Sequence, residues 1–118
     1  MDFREYAQRV NFEMIDPDEP GYILEVVNTS IPETKNSDLI ELCSIPRMST
    51  FAIACLIDKA VREMPEDQCF VNVGVWHGFT LLAGMIGNRE KICIGIDNFS
   101  EFGGPRAEFR KRFISFRG

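Results

Sequence analysis

A chain of 118 residues has room for a single hydrophobic core, because one core usually occupies about 100 to 150 residues. Hydrophobic residues make up 45% of the chain and charged residues 26%, a balance that excludes disordered and fibrous proteins. The net charge of −5 argues against a broad nucleic-acid-binding surface, since neutralising phosphates requires clustered bases.

Residues 1–48 are predicted to form an N-terminal extension of helices and loops. A short helix is expected from Asp2 to Val10, and the cluster Asp16–Gly21 breaks it. A strand or extended segment follows at Tyr22–Val27. Ser37 then resembles a helix cap, and it precedes a short helix over Asp38–Leu42.

Residues 49–118 have a clearer pattern, beginning with a long amphipathic helix. Ser49 or Thr50 can cap this helix, and Pro65 ends it. Apolar residues recur at helical spacing and predict the buried face, while the charged residues between them predict the solvent face. The expected buried positions are Ile53, Leu56, Ile57, Ala60, Val61 and Met64, and the expected solvent positions are Asp58, Lys59, Arg62 and Glu63.

Two short apolar runs then alternate with helices. The runs Cys69–Val73 and Ile92–Ile96 are predicted as buried parallel strands, with a helix over Phe79–Ile86 between them. A last helix is expected from Pro105 to about Phe116, with Phe109, Phe113 and Phe116 facing the sheet. Such alternation predicts right-handed crossovers and an α/β fold with a parallel sheet.

The distribution of charge and cysteine narrows the possible locations and partners. The N-terminus carries acids where a signal peptide carries bases, and the longest apolar run, Phe51–Ile57, is too short for a bilayer. A cytoplasmic protein without membrane contact is therefore expected. The basic segment from Pro105 is interpreted as a solvated helix face, although it could touch RNA. Free, buried thiols are predicted for Cys43, Cys55, Cys69 and Cys93, whose spacings fit neither a CxxC pair nor a zinc site.

The turn after the first predicted strand carries the best candidate site. It reads Gly74-Val75-Trp76-His77-Gly78-Phe79-Thr80. Glycine permits a ligand to approach the backbone closely, and it tolerates the positive φ of a tight turn. The amides that open the following helix would also favour negatively charged groups.

An acid follows the second predicted strand at Asp97. In nucleoside-binding α/β folds, a carboxylate about 20 residues beyond the first glycine accepts hydrogen bonds from ribose hydroxyls. The alternative is that Asp97 only caps the turn that runs to Ser100.

These two segments, within residues 46–114, resemble motif I and the following acid of class I S-adenosylmethionine-dependent methyltransferases. The Gly-x-x-x-Gly-Phe-Thr form is similar to the small-molecule O-methyltransferase branch. The resemblance implies a Rossmann-like parallel sheet with flanking helices, truncated after its second core strand, so that residues 49–118 would be the N-terminal half of the domain.

The resemblance also implies S-adenosylmethionine as cofactor and a small-molecule substrate. Gly74 and Gly78 would line its methionine half, Asp97 would hold the ribose, and Asn98 or Phe99 would border the adenine. Asn72 stands where the family usually has an acid. The implied cofactor-binding set is Asn72, Gly74, Val75, Trp76, His77, Gly78, Thr80, Asp97, Asn98 and Phe99.

Several roles stay open at this point. His77, the only histidine, is interpreted as a residue that shapes the pocket, and no catalytic residue is assigned. Trp76 is either a cover over the fold or a wall of the site. The acids Asp16, Asp18 and Glu19 are interpreted as a solvated turn, so no metal is expected.

Two other functions remain possible. An NAD-binding oxidoreductase would need a glycine at the position of Trp76, where pyrophosphate crowds the backbone. A noncatalytic module would work through a partner instead. Two parallel strands leave open edges and an apolar face, so we expect either a continuing chain segment or a second chain, as in a homo-oligomer, to complete the sheet.

Overall fold

Helices and two pairs of short strands make up the described part of the chain. The computed structural model describes residues 2–9, 13–14, 24–25, 37–47, 49–100 and 103–117. The elements are α1 (Phe3–Arg9), β1 (Glu13–Met14), β2 (Leu24–Glu25), α2 (Ser37–Leu42), α3 (Phe51–Glu63), β3 (Cys69–Val73), α4 (Phe79–Met85), β4 (Ile92–Ile96) and α5 (Arg106–Arg117).

The strands β3 and β4 form a parallel pair. Cys69 lies opposite Ile92, and the register continues to Val73 opposite Ile96. One further bond extends the ladder, because the Gly74 amide donates to the Ile96 carbonyl over 2.8 Å. The predicted α/β class with a parallel sheet and flanking helices is therefore confirmed.

The first part of the chain is described only in pieces. Helix α1 confirms the predicted N-terminal helix, and β2 lies within the predicted extended segment, paired antiparallel with β1. Ser37 is the first residue of α2 rather than a residue before it. The breaker Asp16–Gly21 lies outside the described residues.

Two glycines let α4 pack closely on the sheet. A Cβ on Gly84 would lie 2.6 Å from the Phe70 ring, and a Cβ on Gly95 would lie 2.6 Å from Leu81. A side chain at either position would push helix and strands apart, since protein interiors leave no spare volume. The absence of a Cβ at Gly84 and Gly95 thus allows the short distance between α4 and the parallel sheet.

Helix α3 begins as predicted but turns a different face to the interior. Thr50 caps it, accepting a hydrogen bond from the Ile53 amide at 3.2 Å. The predicted burial of Ala60 is wrong, because that residue is exposed. The predicted exposure of Asp58 is also wrong: it is 7% exposed, and its carboxylate accepts a hydrogen bond from the Asn88 amide. The buried stripe contains Ala54, Cys55, Asp58 and Val61.

The hydrophobic core lies between the helices, and the strands contribute no residue to its buried cluster. Its buried cluster consists of Leu39, Leu42, Ala54, Phe79, Leu82, Ala83 and Ile86, from α2, α3, α4 and the residue after α4. Phe113 and Phe116 of α5 pack against this cluster. The prediction that they face the sheet is therefore corrected: they cover the helical layer.

One face of the parallel sheet is open. Val71, Val73, Ile92, Ile94 and Ile96 are between 43% and 74% exposed, and Cys69 on the same face is exposed. The prediction of buried strands is wrong: this face is exposed, and the other residues of β3 and β4 are at most partly buried. The prediction that Cys69 is buried is also wrong. All four cysteines are free, as expected, but only Cys55 is buried, since Cys43 and Cys93 are partly exposed. Among the described helices, none combines the length and hydrophobicity that a bilayer crossing requires.

Candidate functional site

The turn after β3 and the acid after β4 lie side by side. Gly74 follows β3 with a φ of 87°, and Asp97 follows β4 directly. Because the strands are parallel, both residues leave the sheet at the same edge. The Trp76 backbone amide donates a hydrogen bond to Asp97 Oδ2 over 2.7 Å. The predicted proximity of the glycine turn and the carboxylate is therefore present.

Both carboxylate oxygens of Asp97 accept hydrogen bonds from backbone amides. Oδ1 accepts a hydrogen bond from the Phe99 amide at 2.7 Å, and Oδ2 accepts the one from the Trp76 amide. The bond from Trp76, followed by that from Phe99, lowers the pKa of Asp97 below its ordinary value, because amide donors favour the charged form. The amides of Val75 and Asn98 also lower this pKa, so a ligand hydroxyl would share the ionised carboxylate with the backbone of both turns.

These two amides belong to residues with an uncommon backbone conformation. Trp76 has a φ of 53° and Phe99 a φ of 55°, and both lie in the left-handed region that side chains with a Cβ disfavour. One carboxylate therefore holds the strained turns that follow both strands. Strain of this kind concentrates at functional sites, where the surrounding structure enforces it.

The two glycines of the turn have different surroundings. A Cβ on Gly74 would meet nothing within 4 Å, so the backbone there is open to an approaching molecule. A Cβ on Gly78, at a φ of 99°, would lie 2.9 Å from the Phe109 ring. Gly74 fits the predicted role as a place of close approach. Gly78 instead accommodates a side chain from α5.

Other predicted site residues hold the turn together. The Thr80 hydroxyl donates to Asn72 Oδ1 over 3.1 Å, joining α4 to β3. The Val75 side chain is buried, and a Cβ on Gly95 would lie 2.9 Å from it. These contacts give all three predicted residues, Asn72, Val75 and Thr80, a place in the framework of the site.

His77 is held by a cation from the last helix. Arg112 Nη1 and His77 Nδ1 are 2.5 Å apart, and since a guanidinium only donates, Nδ1 accepts and the ring proton is on Nε2. Desolvation first, and then the positive charge of Arg112, lowers the pKa of His77, while Glu108 raises it. The Trp76 ring meets the His77 ring edge-on, with centroids 4.5 Å apart.

The segment after β4 forms a second turn against α5. Asn98 Oδ1 accepts from the Ser100 amide at 3.0 Å and from its hydroxyl at 2.8 Å. The Phe99 ring stacks on the Phe109 ring, with centroids 5.8 Å apart. Asn98 is exposed and Phe99 is partly buried beside the turn, so both lie at the predicted edge.

Two residues of α5 that were not predicted as site residues also belong to this site. Phe109 covers Gly78 and Phe99, and Arg112 binds His77. Their spacing of three residues puts them on one face of the helix, which was the available signal. Nothing in the sequence near His77 identifies Arg112 as its partner, because 35 positions separate them.

A groove of about 300 Å³ lies elsewhere on the molecule, where its lining includes Asp38, Glu41, Arg89 and Phe116. It adjoins the segment after the C-terminal end of α4, whereas the Gly74–Asp97 edge adjoins the N-terminal end. Within the ranges that the structure describes, no three His, Cys, Asp or Glu residues form a possible metal site. The acids Asp16, Asp18 and Glu19 lie outside those ranges.

Comparison with known proteins identifies no relative of this chain. No family model, no curated protein and no solved structure matches the chain.

Proposed function

We propose that this chain binds S-adenosylmethionine at the Gly74–Asp97 edge, as the cofactor-binding half of a Rossmann-like methyltransferase that acts on a small molecule. The single observation that carries the proposal is the juxtaposition of an uncrowded glycine backbone with an ionised carboxylate at the ends of two parallel strands. Ligands of open α/β sheets bind outside the carboxyl ends of the strands, where such groups converge.

The residues at this edge fit a ribose better than they fit a phosphate. Asp97 is negative and its pKa is lowered, so it attracts hydroxyl donors and repels phosphate. The ring of Trp76 stands where a pyrophosphate-binding turn needs glycine, which disfavours NAD. Gly78 fits less well, because the Phe109 ring already fills the space beside it.

In this proposal the chain contributes positioning rather than acid or base catalysis. S-adenosylmethionine supplies a sulfonium methyl group, and transfer requires that this carbon be held in line with a nucleophile. Asp97 would orient the ribose, and Gly74 would admit the cofactor to the backbone. Phe99, fixed by Phe109, would border the adenine ring. Arg112 keeps His77 in one tautomer beside this edge.

Calorimetric titration with S-adenosylmethionine and S-adenosylhomocysteine tests the proposal. Gly74→Ala should weaken binding at least about tenfold, since the added methyl group occupies the space of approach. Gly103→Ala is a matched control, because Gly103 has the same φ of 87° and equally open surroundings. No heat from the folded wild-type chain would refute the proposal, and tighter binding of NAD would favour an oxidoreductase.

A comparison of nucleosides separates the two roles of Asp97. If its carboxylate binds the ribose, the chain should bind adenosine more tightly than 2′,3′-dideoxyadenosine. Asp97→Asn should reduce that preference, because an amide presents only one acceptor oxygen. Equal binding of the two nucleosides by the wild type would show that Asp97 stabilises the turns but does not bind the ribose.

One observation favours a second candidate function, a noncatalytic module of the same fold. Both oxygens of Asp97 already bind amides of the chain, so the constellation is also complete as a purely structural device. In that case neither cofactor nor nucleoside would bind. The titrations above distinguish the two candidates.

A further inference from the structure

The open face of the parallel sheet presents a continuous apolar surface. Val71 lies opposite Ile94 and Val73 opposite Ile96, and Ile92 extends the surface at the other end. The helix that contacts both strands, α4, packs on the opposite face, against Phe70 and Gly95. Parallel sheets are found almost only with both faces covered.

We propose that this face, defined by Val71, Val73, Ile92, Ile94 and Ile96, is the interface through which two copies of the chain associate. The face carries no charged side chain, so its partner must offer a surface that is equally free of charge. An identical face satisfies this condition, and a two-fold axis makes one patch sufficient for both partners. The proposal is independent of what the Gly74–Asp97 edge binds.

The area of the face agrees with a weak, specific dimer. With side chains exposed by 43% to 74%, the five residues present about 500 Å², near the upper end for a patch on a monomer. Complete burial of both faces would remove at most about 1,000 Å² from solvent, which lies at the lower limit for a specific interface and in the range of weak ones. Sheets stacked face to face lie about 10 Å apart, a distance that interdigitating Val and Ile side chains fill.

Sedimentation of the whole chain over a range of concentrations tests this inference. We expect a reversible dimer of twice the 13.5 kDa chain mass. Ile94→Lys should raise the dimer dissociation constant at least about tenfold, since it would bury an unpaired charge in the interface. Ile40→Lys is the control, because Ile40 is 61% exposed on α2, away from the sheet.

A milder variant covers the case in which Ile94→Lys fails to fold. Val71→Thr keeps the shape and the strand propensity of the side chain while adding a buried hydroxyl, so it should weaken the dimer and leave the circular dichroism unchanged. A dimer that neither substitution weakens would place the interface elsewhere and overturn the proposal.

Labelling of the exposed Cys69 thiol gives a second measurement. In the proposed dimer, modification of Cys69, located by peptide mass spectrometry, should slow as the protein concentration rises. A monomer at all concentrations overturns the proposal whether Cys69 reacts or not. If a monomer is labelled slowly at Cys69, another segment of the same chain covers the face. If it is labelled rapidly, the face is exposed to solvent.

Discussion

The Phe109 ring occupies the space that the absent side chain of Gly78 leaves free. A Cβ at Gly78 would come within 2.9 Å of that ring, and Phe109 also stacks on Phe99. The last helix is thereby joined to both turns at the carboxyl edge of the sheet. The position of α5 therefore affects the access of a ligand to this edge.

Gly78→Ala should destabilise the fold by about 2 to 4 kcal/mol, combining left-handed backbone strain with overpacking against the ring. Urea unfolding measures the effect. Gly74→Ala isolates the strain, because a Cβ there meets no neighbour, and it should cost about 1 to 2 kcal/mol. Phe109→Leu should recover part of the difference in a double-mutant cycle. Equal losses for the two alanine variants would contradict the overpacking.

Asp97 should make the stability of the chain depend on acid pH. Its pKa is lowered in the folded state by bonds from the Trp76 and Phe99 amides, so the unfolded chain binds the proton more readily. The stabilisation is complete above the ordinary pKa of about 3.8 and is lost as pH falls toward the folded pKa. Denaturant unfolding at pH 2.5 to 7 measures it, and Asp97→Asn should flatten the acid limb. An unchanged slope would contradict the role of this carboxylate.

His77 should contribute a second, separate pH dependence. Its folded pKa is below 6.5, so the unfolded chain takes up the proton first and stability declines as pH falls below about 6.5. Protonation would also place a cation against Arg112. NMR titration of this only histidine gives its pKa directly. Arg112→Gln should raise that pKa, whereas Arg110→Gln, on an exposed position of the same helix, should leave it unchanged.

The buried pair of Asn88 and Asp58 should contribute more to stability than an exposed hydrogen bond does. The Asn88 amide donates to Asp58 Oδ1 at 3.0 Å and to the Gly84 carbonyl at 3.0 Å, joining α3 to the end of α4. Asn88→Ala should cost about 1 to 3 kcal/mol, because it leaves these acceptors unsatisfied. Ser44→Ala, which removes an exposed 2.8 Å hydrogen bond to the Glu41 carbonyl, should change the free energy of unfolding by less than about 1 kcal/mol. Similar losses for both variants would contradict this ranking.

The local pattern of the chain was sufficient to predict the elements around the site. The strands Cys69–Val73 and Ile92–Ile96 have the bounds that their apolar runs indicate, because Gly74 and Asp97 end them. Their parallel pairing follows from the helix between them, since a short helical connection returns the chain in the same direction. The closeness of Gly74 and Asp97 is a consequence of that topology.

Contacts between distant positions decided the rest, and no local pattern encodes them. The Asp58 carboxylate is buried because Asn88, 30 positions away, donates to Oδ1, while Arg62 on its own helix donates to Oδ2. The space at Gly78 is filled because α5 packs over it, and the proton of His77 is placed by Arg112 from 35 positions away. Local patterns of residues therefore predict where the strands, turns and candidate groups lie along the chain. Which of these groups contact one another, and which face stays open, depends on tertiary packing, because burial is set by residues that meet through folding rather than through spacing.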